Sequence, residues 1–214
     1  MKKLQYAFYF DASRCTGCKT CVIACKDKNN IQQPGIQLRR VYEESGGDWI
    51  EDEAAKTWKQ NIWAYFVSVS CNHCDDPACV KVCPTGAHAK HFDLGGLVLI
   101  DGEKCIGCGA CAVACPYEAP QLDRKERKMR KCDMCMDRIS TQELPICVAA
   151  CPQRALDFGT VEELRKRHGD DGMIAPLAAA EYTKPNLLIH KCVQAQPAPE
   201  RTRSWPSFLN EEQS

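Results

Sequence analysis

Cys105-Ile106-Gly107-Cys108-Gly109-Ala110-Cys111-Ala112-Val113-Ala114-Cys115-Pro116 is the stretch that decides the fold. Three cysteines separated by two residues, a fourth after three more and a proline behind it form the bacterial ferredoxin pattern. In that pattern the close triplet binds one 4Fe-4S cluster and the fourth cysteine binds another. Thiolates at this spacing on a tight loop can each reach a different iron of one cubane, while the loop N-H groups point towards its sulfides. Gly107 and Gly109 suit close wrapping, because they have no side chain and tolerate unusual backbone angles. Pro116 offers no N-H and helps to stop the following segment from continuing as helix.

Working outward, group I repeats this spacing, and groups II and IV are expansions of it with four and eleven residues between the second and third cysteines. Group I is Cys15, Cys18, Cys21 and Cys25, group II is Cys71, Cys74, Cys79 and Cys83, and group IV is Cys132, Cys135, Cys147 and Cys151; the stretch above is group III. Groups II, III and IV end in Cys-Pro, at Pro84, Pro116 and Pro152. Sixteen of the seventeen cysteines are thereby placed, and Cys192 is read as a free thiol outside the clusters. Zinc takes four ligands tetrahedrally, usually as two separated pairs, and does not explain triplets. Four 4Fe-4S clusters are the predicted cofactors.

The flanking sequence suggests which groups share clusters. Leu97 to Asp101 is strand-like and leads into Cys105, so groups II and III look like one complete two-cluster module. Strand-like Tyr6 to Asp11 precedes group I and Ala155 to Gly159 follows group IV, so these outer pieces look like a second module into which the first is inserted. Exchange of fourth cysteines then gives Cys15, Cys18, Cys21 with Cys151 (cluster 1), and Cys132, Cys135, Cys147 with Cys25 (cluster 2). It also gives Cys71, Cys74, Cys79 with Cys115 (cluster 3), and Cys105, Cys108, Cys111 with Cys83 (cluster 4). Sequential pairing of I with II and III with IV is the alternative; the 45 residues from 26 to 70 would be a long connection inside so small a module.

The predicted class is therefore α+β: two bacterial-ferredoxin-like modules, one inserted within the other, with long loops and a poorly ordered C-terminal tail. Residues 1-30 and 125-160 form the outer module, 31-70 a connecting insertion, 71-124 the inner module, 161-192 a C-terminal helix and extension, and 193-214 the tail.

Composition narrows the function classes. The 214 residues carry 28 Lys+Arg and 28 Asp+Glu, so no basic footprint for nucleic acid exists. No apolar run approaches the roughly 20 residues that cross a bilayer. Met1-Lys2-Lys3 and Leu4 to Phe10 imitate a signal peptide only faintly, with Gln5 interrupting and Asp11 and Arg14 closing the run. Without such a signal, cysteine clusters hold metal more readily than disulfides. There is no Ser/His/Asp order, metal-bound water motif or Gly-rich phosphate loop, so no catalytic residue and no direct small-molecule substrate are expected.

Between the groups, Ile62 to Val69 reads as a buried strand, and Trp49, Trp58 and Trp63 read as packing residues over the clusters, with a subunit contact as a further use. Thr160-x-x-Glu163 opens a capped short helix over Val161 to His168. Arg124 to Lys131 reads as a solvated basic face, except that Lys131, beside Cys132, is placed to offset the negative charge of a cluster. His73 reads as an outer-sphere or surface residue, while His88, His91, His168 and His190 show no ligand spacing.

With these residues laid out, the sequence resembles the iron-sulfur electron-transfer subunit of the anaerobic dimethyl sulfoxide reductase family. The resemblance runs from Tyr6 to about Ile189, through Arg14 to Cys21, Gly46-Gly47-Asp48-Trp49, Ser70 to Cys74, Cys105 to Cys108, Cys147 to Gly159 and Thr183-Lys184-Pro185-Asn186. It implies a complex in which an integral membrane anchor oxidises menaquinol and four clusters pass electrons in single file. A molybdopterin catalytic subunit then reduces dimethyl sulfoxide or a related S- or N-oxide. It implies the nested cluster pairing as well. Some relatives replace one group III cysteine and hold a three-iron cluster, but all four are present here. Subunits of polysulfide, thiosulfate, nitrate and formate enzymes share the four-group plan, and a soluble polyferredoxin is a further alternative. Location is expected to be peripheral on a membrane partner, on the periplasmic face if carried out with a twin-arginine partner or otherwise on the cytoplasmic face.

Overall fold

The computed structural model describes residues 4-54 and 56-199. In chain order the elements are β1 (Tyr6–Asp11), α1 (Thr20–Lys28), β2 (Arg40–Gly46), β3 (Trp49–Asp52), β4 (Thr57–Gln60), β5 (Trp63–Val69) and α2 (Ala78–Lys81). They continue with β6 (His88–His91), β7 (Leu97–Ile100), α3 (Ala110–Ala114), β8 (Gln121–Asp123), β9 (Lys128–Arg130), α4 (Met136–Ile139) and α5 (Ile146–Ala149). The last are β10 (Leu156–Thr160), α6 (Val161–His168), a 3-10 turn at Ala180–Tyr182 and β11 (Leu187–His190). Helix and strand are mixed throughout, as the α+β expectation requires. Most of the tail expected to be poorly ordered, residues 200-214, lies outside the described residues.

β1 organises the molecule because it is buried on both faces. Phe8 and Phe10 point into the main core, with Val67, Val69, Ile174 and Ile189, while Ala7 and Tyr9 meet Leu164 and Leu188 on the opposite side. A strand covered twice needs an uninterrupted apolar run, which Tyr6 to Phe10 provides. β1 pairs antiparallel with β10, Phe8 opposite Phe158, and parallel with β11, Phe8 opposite Leu187. The segment after group IV therefore returns to the strand before group I. Residues 187-190, expected to belong to an extension, are the third strand of this sheet.

The helix after β10 follows its local signal. Glu163 N-H donates to Thr160 Oγ1 at 3.2 Å and Thr160 N-H donates to Glu163 Oε2 at 3.0 Å, completing a capping box. Leu164 is the buried contact of α6. Around the inner groups, β6 pairs with β7 and β8 with β9, so the residues on either side of the division expected at 124/125 form one hairpin.

The 31-70 segment does more than connect. Ile31, Ile36 and Leu38 pack on Cys25, and β2 and β5 form a seven-residue ribbon, Arg40 opposite Val69. Arg40 donates to the carbonyls of Tyr117 and Glu118, tying this ribbon to the inner groups. The strand expected at Ile62 to Val69 is present as β5, with Tyr65, Val67 and Val69 in the core. The tryptophan reading needs correction: Trp49 and Trp58 stand 61% and 60% exposed on the β3-β4 hairpin and cover no cysteine set. Among the described tryptophans Trp63 alone packs inward, stacked on Tyr65 with ring centroids 5.9 Å apart. Among the described residues no helix is long and apolar enough to cross a membrane.

Candidate metal centres

The short helices place the cysteines. Each of groups I, II, III and IV has a helix (α1, α2, α3 and α5) that carries one or two of its cysteines, and α1 packs on α5 while α2 packs on α3. Helices of four or five residues have little stability of their own, so what they pack against determines them.

Three cavities show which thiols stand together. Cys15, Cys18, Cys21 and Cys151 line one, with Phe10, Ser68 and Leu156. Cys71, Cys74, Cys79 and Cys115 line a second, with Val98, Lys131 and Thr183. Cys83, Cys105, Cys108 and Cys111 line a third, with His88 and Met129. The remaining four, Cys25, Cys132, Cys135 and Cys147, are electrostatic neighbours of one another, Cys147 and Cys135 facing Cys25, and Cys25 and Cys147 facing Cys132. These are numbered sets 1, 3, 4 and 2. Cys132 also faces Cys71, so sets 2 and 3 adjoin. Cys192 lies in none of them and packs at the rim of the main core.

The donor chemistry fits iron-sulfur clusters. Three thiols of one loop joined by a fourth from a distant group suit a polynuclear cluster, whereas zinc needs four sulfurs about 2.3 Å from one point. Main-chain N-H groups already point at the sulfurs: Met129 to Cys105 at 3.4 Å, Met134 to Cys132 at 3.3 Å and Ala155 to Cys151 at 3.3 Å. The Thr183 hydroxyl donates to Cys74 Sγ at 3.2 Å, which gives the Thr183-Lys184-Pro185-Asn186 motif a physical role. Burial, reinforced by neighbouring thiolates, pushes the Cys25 and Cys74 thiols up to about 12. Protons thus occupy these sites in the cluster-free protein and leave when iron binds.

The tight loops require left-handed backbone. Gly107 has φ +70°, and a Cβ there would lie 2.3 Å from the Arg127 carbonyl oxygen; Gly109 has φ +78° with open space around it. Gly107→Ala is expected to cost the set 4 cluster, lowering iron and acid-labile sulfide by about a quarter. Gly109→Ala should keep full content at a stability cost of about 1 kcal/mol. Equal iron content in the two variants would refute the close-approach argument.

Burial gives several residues near the sets a role that their sequence neighbourhood does not show. Lys131 is buried as well as adjacent to Cys132; its ammonium donates to the Val98 and Cys132 carbonyls, and it lines the set 3 cavity. The segment around it divides, residues 124-127 being exposed and Met129 buried, so the solvated-face reading holds for half of that segment. His73 is not a surface residue: it is wholly buried, and its Nδ1 accepts from Val98 N-H at 2.9 Å. His88 is buried at the wall of set 4. Neither histidine has a spacing signal, because what places them is the β6-β7 hairpin.

Comparison with known proteins agrees with this chemistry. Two models described as 4Fe-4S dicluster domain match residues 62-161 and 14-87. A chain of the anaerobic dimethyl sulfoxide reductase of Escherichia coli K12 is 52% identical over 198 residues, covering 92% of this protein and 94% of the relative. A sulfite dehydrogenase subunit of Allochromatium vinosum is 39% identical over 170 residues, covering 74% and 70%. The iron-sulfur subunit of the nitrate-inducible formate dehydrogenase of Escherichia coli K12 is 34% identical over 167 residues, covering 76% and 56%.

Proposed function

The protein belongs to the iron-sulfur subunits of the anaerobic dimethyl sulfoxide reductase family, which transfer electrons within oxidoreductase complexes, and from that premise we propose that it carries electrons between a quinol-oxidising membrane anchor and a molybdopterin catalytic subunit that reduces dimethyl sulfoxide or related S- and N-oxides. It does not act on the substrate itself. Four 4Fe-4S clusters, when bound, supply the one-electron carriers.

The proposed ligands are Cys15, Cys18, Cys21 and Cys151 for cluster 1, and Cys25, Cys132, Cys135 and Cys147 for cluster 2. Cys71, Cys74, Cys79 and Cys115 hold cluster 3, and Cys83, Cys105, Cys108 and Cys111 hold cluster 4. In this reading residues 1-30 with 125-160 form the outer module and 71-124 the inserted inner one. The pairing of β1 with β10 and the packing of α1 on α5 support that division. The family models match contiguous stretches, so they bear on cluster type and not on which groups exchange a cysteine.

The observation that supports single-file transfer is the arrangement of the sets. Set 1 shares α1 and its packing on α5 with set 2, set 2 meets set 3 at Cys132 and Cys71, and set 3 shares the α2-α3 contact with set 4. Among the ligand thiols only Cys18 and Cys108 are exposed, one in each terminal set. The protein thereby insulates the middle of the row and leaves an opening at each end, where partner subunits would exchange electrons.

The test is anaerobic purification of the tagged protein from detergent-solubilised host membranes, with mass spectrometry and molybdenum analysis of what accompanies it. A large molybdenum-containing chain together with a multi-span membrane chain is the expected result, and the large chain's reaction identifies the substrate class. Recovery of the protein alone, fully loaded and outside the membrane fraction, would overturn the reading in favour of a diffusing carrier.

A further inference from the structure

Arg39 is the most buried Arg, Lys, Asp or Glu among the described residues, with 2% of its surface exposed. It lies just before β2, in the segment between groups I and II, where a long basic side chain would ordinarily reach solvent. Instead its guanidinium lies over the Phe8 ring, 4.7 Å from the centroid. Nη1 donates to Ser68 Oγ at 3.1 Å and Nη2 to Ser70 Oγ at 3.0 Å, both neutral acceptors, while Nε is buried without a partner. An uncompensated buried charge costs several kcal/mol. A compensating negative charge is therefore to be sought in the groups around it.

Those groups are cysteines of two sets. Cys147, Cys21, Cys132 and Cys25 all lie close enough to Arg39 to act on it electrostatically, and once they ligate iron as thiolates they set negative charge against its guanidinium. Cys21 belongs to set 1 and the other three to set 2. Ser68 adds a connection, since its Oγ lies 3.4 Å from Cys21 Sγ and can donate there while accepting from Arg39. Arg40 next door faces away from sets 1 and 2: it bonds the Tyr117 and Glu118 carbonyls and acts on Cys115 of set 3. Lys131 serves the border of sets 2 and 3 and is bonded to two carbonyls.

We propose that Arg39 is the fixed positive charge that raises the reduction potentials of clusters 1 and 2 together, acting on cluster 2 through space and on cluster 1 also through the Ser68 hydroxyl. This rests on the four-cluster reading above. Uptake of one electron adds one negative charge to a cluster, and a buried cation favours that reduced state because little water is present to screen it. Arg39 is thus a positioning and potential-setting residue and not a ligand.

The experiment is an EPR-monitored redox titration of the intact complex carrying Arg39→Met, Arg39→Lys or Ser68→Ala, with iron and sulfide measured on the same samples. In Arg39→Met the midpoints of clusters 1 and 2 should fall, each by about a tenfold change in the reduced-to-oxidised ratio, about 59 mV for a one-electron couple. Clusters 3 and 4 should stay in place. Arg39→Lys should recover most of the shift, and Ser68→Ala should lower cluster 1 alone. Unchanged midpoints in a fully loaded Arg39→Met complex, or equal shifts in all four clusters, would overturn the proposal. If Arg39→Met does not assemble, the other two variants decide: a silent Ser68→Ala, or an Arg39→Lys shift as large in clusters 3 and 4 as in 1 and 2, overturns it. Iron and sulfide well below about 16 each in the unsubstituted protein would instead refute the four-cluster reading itself.

Discussion

Cys151→Ser is expected to change the EPR signature and potential of the cluster held by Cys15, Cys18 and Cys21, and to leave the cluster held by Cys132 and Cys135 intact, although Cys151 is grouped with the latter in sequence. The reason lies in where α5 stops. Cys147 is inside the helix, which packs on α1 and so faces Cys25, whereas Cys151 follows the last helical residue, Ala149. From there the chain enters β10, which pairs with β1, and that return sets Cys151 beside the group I loop. Serine offers a harder oxygen in place of a thiolate, so the effect should be confined to one signal of four and should be large, up to loss of an iron or of the cluster. Cys147→Ser should strike the other signal. Cys192→Ser is the control and should leave all four intact, because Cys192 lies at the rim of the core and outside every set. A Cys151→Ser complex that loses the Cys132 cluster instead would refute exchange of the fourth cysteines.

How much of this was readable from the sequence follows from how local each feature is. The cysteine spacing carries its own geometry, since a cubane is held by residues a few positions apart, and Tyr6 to Asp11 and Leu97 to Ile100 announce themselves as apolar runs. The capping box at Thr160 and Glu163 is likewise settled within four residues. The features that escaped are those set by partners far away in the sequence. Leu187 to His190 is too short to stand out, and becomes a strand because β1 has a free edge beside it. Arg39 reads as one more charge in a connecting segment, since nothing nearby in sequence shows that its counter-charges are cysteines 14 and 18 residues before it and about a hundred after it. The tryptophans misled for the opposite reason: Trp49 and Trp58 have the apolar surface of core residues, but a two-stranded hairpin has only its own two strands to pack against, so both stay exposed.

Removal of the clusters is expected to unfold most of the molecule, an effect larger than that of any single substitution. Several of the residues that fill the space near the thiol sets are small, with Ala87, Ala112, Ala119 and Ala155 all at most 3% exposed. Around them stand two-stranded ribbons and helices of four or five residues, none of which is stable in isolation. The inner core makes the dependence plain, because Cys79, Cys105 and Cys111 are three of its seven buried members, beside Ala87, Val98, Ala112 and Met129. Structural zinc in zinc-finger peptides, a comparable coupling of metal binding to folding, contributes about 10-16 kcal/mol, against about 5-15 kcal/mol for the whole stability of a typical domain. Loss of four clusters is therefore expected to exceed the stability of the fold. Anaerobic chelation of the purified protein should abolish its near-UV circular dichroism and open the inner groups, residues 71-124, to protease. The sheet of β1, β10 and β11, with Phe8 and Phe10 at 2% and 0% exposure, should resist longest, since it has a conventional core. A cluster-free protein that kept its near-UV spectrum and its protease pattern would mean that the strands alone hold the fold and that the cysteines are bound into a scaffold already made.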